Sequence, residues 1–150
     1  MKTEHAEIML RVFPDVLEKM AFMFAEPVEE DAGLSREGEF VKAQMSFAGP
    51  FAGVLELIVP ASLCPLMAEN ILGDFDPETP EKAYDALKEI LNVTCGNVLT
   101  EIAGEKPVFD LTVPQVSPIS EQNWDLEKQR DDLVAFTVDD QPVLIGLKIN

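Results

Sequence analysis

In the stretch DALKEILNVTCGNVLTEIAG, residues 85–104, four residues recur at helical intervals: Asp85, Glu89, Asn92 and Gly96. At ~100° per residue, placing Asp85 at 0° puts Glu89 at about 40°, Asn92 at about 340° and Gly96 at about 20°. Side chains three and four apart lie side by side, so a carboxylate and a carboxamide are presented together. A pair of acids alone would be an ordinary solvated helix face. Asparagine and glycine are different, because each costs up to ~1 kcal/mol relative to alanine in a helix interior. A plain solvated face favours Lys, Glu, Gln or Ala instead. A glycine one turn beyond an asparagine leaves a shallow notch where another surface can come close. Leu99, at about 320°, is expected to set an apolar residue on its rim. The pattern points to a protein-docking face with two polar tips, and by itself it does not name a reaction.

The helix that carries this stripe needs an apolar back. Ala83, Leu87, Ile90, Leu91, Thr94 and Val98 supply it on the opposite side. Thr79 is placed to cap the helix, Pro80 to open it and Gly104 to stop it. Upstream, residues 4–25 show helical spacing in Ile8, Met9, Val16, Leu17, Met20, Met23 and Phe24, with Pro14 inside. EPVEEDAGLSREGE reads as an acidic connection. FVKAQMSF alternates as a strand and VLELIV returns as a second, with AGPFAG between them. ASLCPLMAENIL suits a short helix with Pro65 in its first turn and Gly73 closing it.

After the main helix, VFDLTVP, LVAFTV and VLIGLKI read as three strands, the last two joined by a tight DDQP turn. The expected order is α-β-β-α-α-β-β-β, an α/β (α+β) arrangement of helices packed on a mostly antiparallel sheet, within a single domain over 1–150. Phe47 to Val54 and Phe136 to Val143 both step seven residues from one strand into the next, a faint internal echo.

Composition removes several function classes. Against 28 acidic residues stand only 11 basic ones, and a net charge of −17 repels nucleic acid and anionic membrane surfaces alike. The longest apolar run is broken by Glu56, Pro60 and Pro65, so no membrane span is expected. The N-terminus carries acids where a secretion signal needs a basic start, which leads to a cytoplasmic expectation. With the single histidine, His5, near the N-terminus, zinc sites and histidine triads have little material. Cys64 and Cys95 are far apart and are expected to be structural.

Asp85-x-x-x-Glu89-x-x-Asn92, followed later by Pro114 and flanked by NVTCGNVLTEIAG and FDLTVPQV, resembles the signature of the CheC/CheX/FliY phosphatases of bacterial chemotaxis. The length and strand order look most like the CheX branch. The interval from Asn92 to Pro114 is one residue shorter than is usual in that family. Members of the CheC type carry a second Glu/Asn pair on the first helix, whereas here Glu18 is followed three residues later by Ala21.

The resemblance implies a CheC-like fold and a phosphatase acting on the phosphoaspartate of a CheY-type receiver domain. Asn92 would orient the attacking water, and Glu89 would pair with the receiver's active-site lysine. Asp85 would support the docked edge, with Gly96 and Leu99 as binding positions. It further implies no cofactor of the chain's own, Mg²⁺ supplied by the receiver, and a homodimer. Two other readings remain open: a non-catalytic module that binds a receiver or a flagellar-switch component, and a metal hydrolase built on Asp85 and Glu89. The second lacks histidines and a third carboxylate on the stripe.

Overall fold

A computed structural model describes residues 4–28, 38–72, 80–128, 130 and 132–150. The elements run α1 (Glu4–Ala21), β1 (Ala25–Val28), β2 (Phe40–Ala48), β3 (Ala52–Pro60), α2 (Leu63–Leu72), α3 (Pro80–Ala103), β4 (Asp110–Leu111), β5 (Gln115–Ile119), α4 (Glu121–Lys128), β6 (Leu133–Val138) and β7 (Gln141–Ile149). The expected class holds: helices packed on an antiparallel sheet. The sheet has seven strands in the order β1-β6-β7-β3-β2-β4, with β5 also pairing β2.

Alternation along the strands decides the two faces of the sheet. Val41, Ala43, Met45 and Phe47 of β2, with Leu55, Leu57 and Val59 of β3, point into the main core. They share it with Val143, Ile145 and Leu147 of β7 and with the apolar faces of α1, α2 and α3. The other face carries a smaller core of Phe40, Ile58, Leu144 and Trp124. Trp124 lies on α4, an element that the sequence reading did not include. It stacks on Phe40 with ring centroids 4.2 Å apart, and its indole N–H finds no acceptor among the described residues.

Beside α4, Glu56 on β3 is buried in an ion cluster. It accepts from Arg130 at 2.9 Å and pairs with Lys42 at 3.0 Å, while Glu127 and Asp132 complete the ring around Arg130. The thiols of Cys64 and Cys95 are both free and buried. Burial pushes Cys64 up to about 12 and Cys95 up to about 11.

Several boundaries differ from the sequence reading, each for a local reason. The first helix ends at Ala21, because Phe22 turns to φ 54° and closes the last turn with its N–H on the Glu18 carbonyl. Phe24 therefore lies outside the helix and is 67 % exposed rather than part of its apolar face. The start of the acidic connection forms β1 at the sheet edge. Gly73, Thr79 and most of that connection lie outside the described residues.

The DDQP turn forms as expected, with Asp139 and Asp140 both at positive φ, the two-residue hairpin geometry. Gly104 closes α3 at φ 85°, its N–H bonded to the Thr100 carbonyl at 2.8 Å. The strand read through VFDLTVP is interrupted. Phe47 pairs Leu111 and Gln44 pairs Gln115, so three residues on the outer strand oppose two on β2. That is a β-bulge, at a place where Pro114 could not have donated to the ladder.

Candidate active site on helix α3 and the bulged edge strand

The stripe is exposed where the sequence placed it. Asp85, Glu89 and Asn92 all face solvent on α3, and Ala83, Leu87, Ile90, Leu91, Thr94 and Val98 are all buried behind them. The Thr94 hydroxyl is satisfied inside the core by the Ile90 carbonyl at 2.7 Å. Neither Asp85 nor Glu89 forms an ion pair with any described residue. Their carboxylates are thus available to a partner.

The bulge supplies the opposite wall. Thr112 is pinned to β2 from both sides: its N–H donates to the Ser46 carbonyl at 3.0 Å, and its hydroxyl accepts from the Ser46 N–H at 2.9 Å. Just before it, Phe109 packs edge-on against Phe51 and Phe47, with centroids 5.1 and 6.1 Å apart. With both ends of the turn held, Val113 and Pro114 are directed toward α3. Asp85, Lys88, Glu89, Asn92, Leu111, Thr112, Val113 and Pro114 line one groove of about 470 Å³. Leu111 and Val113 are exposed apolar residues, Val113 at 74 %.

The two remaining stripe positions behave differently. Leu99 is only 4 % exposed and belongs to the core, so it is not a rim residue. The cause is a rotation of the buried sector along α3, which packs on α1, α2 and the sheet. Buried residues from Ala83 to Ile90 centre at about 150°, and those from Leu91 to Leu99 at about 250°. A helix that crosses its neighbours obliquely shows them different sectors along its length. The solvent face moves accordingly to Asn97, Thr100 and Glu101, and Cys95 is rolled in with Leu99. Gly96 sits half-exposed at this crossover. It does not line the groove, and a Cβ built on it would meet no atom within 4 Å.

Lys88, Leu111, Thr112 and Val113 also line the groove and were missed at the level of sequence. A proline inside a strand pattern was the available signal for the last three, since it marks an edge or a bulge. Among the described residues no group of three or more His, Cys, Asp or Glu is placed to hold a metal ion. No helix among them is long and apolar enough to cross a membrane.

The sequence model for the family described as chemotaxis phosphatase CheX matches residues 41–137, which takes in β2, β3, all of α3 and the bulge. This chain belongs to the CheX family. Solved structures agree in fold. The chemotaxis protein CheX from Desulfovibrio desulfuricans is similar at TM-score 0.73 and 16 % identity, covering 99 % of this chain and 100 % of that one. The CheX from Vibrio vulnificus is similar at TM-score 0.73 and 18 % identity, covering 99 % and 97 %. The Borrelia burgdorferi protein in a CheX–CheY–BeF₃–Mg²⁺ complex is similar at TM-score 0.69 and 23 % identity, covering 99 % of each chain. At these identities the likeness is one of fold. No curated protein sequence matches this chain at a significant level.

Proposed function

We propose that this CheX-family chain hydrolyses the phosphoaspartate of a CheY-type receiver domain in the cytoplasm, through the groove between α3 and the bulge. The observation that carries the reading is the placement of exposed Asp85, Glu89 and Asn92 on one line of a rigid helix, opposite Pro114. Membership of a phosphatase family and the receiver bound to the Borrelia relative support it.

Asn92 takes the water that attacks phosphorus, its carboxamide accepting one O–H and fixing the approach in line with the aspartyl oxygen. The P–O bond to the aspartate then breaks, and inorganic phosphate leaves. Glu89, with no ion-pair partner among the described residues, pairs with the receiver's lysine and sets the register of docking. Asp85 supports the edge of the contact. Leu111 and Val113 give the groove an apolar lip that loses water on docking. A Mg²⁺ held by the receiver would supply neutralisation of the phosphoryl charge that develops there. The carboxylates of this chain do not need to ligate it.

The test compares phosphate release at saturating phosphorylated receiver with binding to a receiver carrying a stable phosphoryl mimic. Asn92→Ala should lower turnover by ~10²-fold or more, as removal of one preorganised catalytic hydrogen-bonding group does, with binding nearly intact. Glu89→Ala should weaken binding and slow turnover together. Full turnover in Asn92→Ala would show that the helix docks a partner without catalysing.

A further inference from the structure

Lys88 is the one cation among the described residues that line the groove. At about 300° on the helix it lies on the far side of Asn92 from Glu89, so that Asn92 stands between a positive and a negative side chain. It is half-buried, and a lysine so placed characteristically buries its stem and keeps its ammonium in water.

Asp85 lies three residues before it and Glu89 directly after it, yet Lys88 forms no ion pair with any described residue. Lys19, Lys42 and Lys148 are each within reach of an acid of this chain, and Lys82 and Lys106, which like Lys88 form no ion pair with a described residue, do not line the groove. In a protein of net charge −17, an ammonium in the groove with no ion pair to a described residue is available to a group outside the chain.

Resting on the docking reading above, we propose that Lys88 is a partner-binding residue whose ammonium takes an anionic oxygen of the receiver. A receiver site that holds Mg²⁺ and a phosphoryl group is lined with oxygen ligands. Its approach to so acidic a chain meets like-charge repulsion, which one cation beside Asn92 relieves where the surfaces touch. Glu89 and Lys88 then form a pair of opposite charges that accepts the partner in one orientation. The oxygen is either a carboxylate at the rim of the phosphoaspartate pocket or the phosphoryl group itself.

Steady-state dephosphorylation of the receiver by Lys88→Met, Lys88→Glu and Lys88→Arg tests this. Lys88→Met should raise KM about tenfold with kcat within about twofold, the equivalent of one charge-assisted hydrogen bond at a partly hydrated rim. Lys88→Glu should raise it further, in a way that added salt relieves. Lys88→Arg should stay close to the wild type, and all three should unfold at the wild-type temperature.

Binding arms separate the sources of the oxygen. A loss seen only with a beryllofluoride-bearing receiver identifies the phosphoryl oxygens, and an equal loss with the unphosphorylated receiver identifies the carboxylate rim. Unchanged KM and salt response in both Lys88→Met and Lys88→Glu would overturn the inference. A wild-type chain that binds receiver without releasing phosphate removes the phosphatase reading alone, because the binding arms still report on Lys88. One that binds no receiver overturns both.

Discussion

Gly96→Ala separates what α3 needs as a helix from what it needs as a docking surface. In a helix interior alanine is favoured over glycine by about 0.8–1 kcal/mol, because glycine loses more backbone freedom on folding. That gain is normally reduced by crowding, but at Gly96 an added Cβ meets no atom within 4 Å. Its φ is not among the positive values of the chain, so alanine is not strained there. The isolated protein should therefore be more stable by about 1 kcal/mol, a rise in Tm of roughly 2–4 °C for a domain of this size.

If a receiver docks as proposed, the same methyl group stands one turn beyond Asn92, beside the groove rather than within it. Displacing the docked surface by ~1 Å there can cost on the order of 10²-fold at the reacting centre. The expected result is a more stable and less active protein, with kcat/KM for the phosphorylated receiver down at least about tenfold. Thermal unfolding alongside phosphate release over a range of receiver concentrations reads both. A variant that gains stability and keeps its wild-type kcat/KM would refute the argument, since the glycine would then have no role in the partner's approach.

Other expectations concern the frame that holds the site. Burial pushes the Glu56 carboxyl up, but the hydrogen bonds and charges of Arg130 and Lys42 outweigh it and hold it below its ordinary 4.5. Its contribution is therefore present above about pH 4.5 and lost as pH falls through the depressed folded value; Glu56→Gln should cost about 2–3 kcal/mol at pH 7 in urea unfolding, a gap that closes in acid. With thiol pKa values pushed up to about 12 and about 11, Cys64 and Cys95 should resist a disulfide-exchange reagent in the native protein and react once it is unfolded; rapid native labelling would contradict their burial. Among the described residues β1 and β4–β5 are the edge strands of the sheet, each a template for pairing with a second copy, so the chain should sediment as a homodimer at micromolar concentration, and a 16.6 kDa species throughout would defeat this.

The stripe-bearing half of α3 was legible because its two faces differ in chemistry at a fixed period, and Pro80 and Gly104 mark the ends of the helix by geometry that other residues adopt poorly. Leu99 was misplaced because a helical wheel treats the helix as isolated, whereas the buried sector is set by the neighbours packed along it. The bulge was missed for a similar reason. Alternation predicts that residues 108–114 form a strand, but only the partner strand reveals that three residues there face two. Helix α4 carries too few apolar residues to announce itself; it is held by Trp124 on Phe40 and by Glu127 on Lys42, both contacts distant in sequence. What pattern could not reach was, in each case, a relation between elements.

The sheet order gives physical content to the internal echo. Exchanging β1 with β5, β2 with β6 and β3 with β7 reverses the order β1-β6-β7-β3-β2-β5 onto itself, which makes α1 the counterpart of α3. The two helices nevertheless differ in what they leave free. On α1, Asp15 is paired with Lys19, and Arg11 reaches across to Glu101 on α3. Three residues after Glu18 stands Ala21, fully buried, where a working carboxamide would have to be exposed. Immediately beyond, the chain turns at Phe22, so no further helical turn exists to form a notch. On α3, Asp85 and Glu89 form no ion pair with described residues, Asn92 is exposed, and a bulged strand closes the groove. A pseudo-twofold fold offers two places for a site; Glu18 on α1 is exposed, as Glu89 is, but with buried Ala21 where the carboxamide would stand, the exposed Glu/Asn pair among the described residues of these two helices is the one on α3.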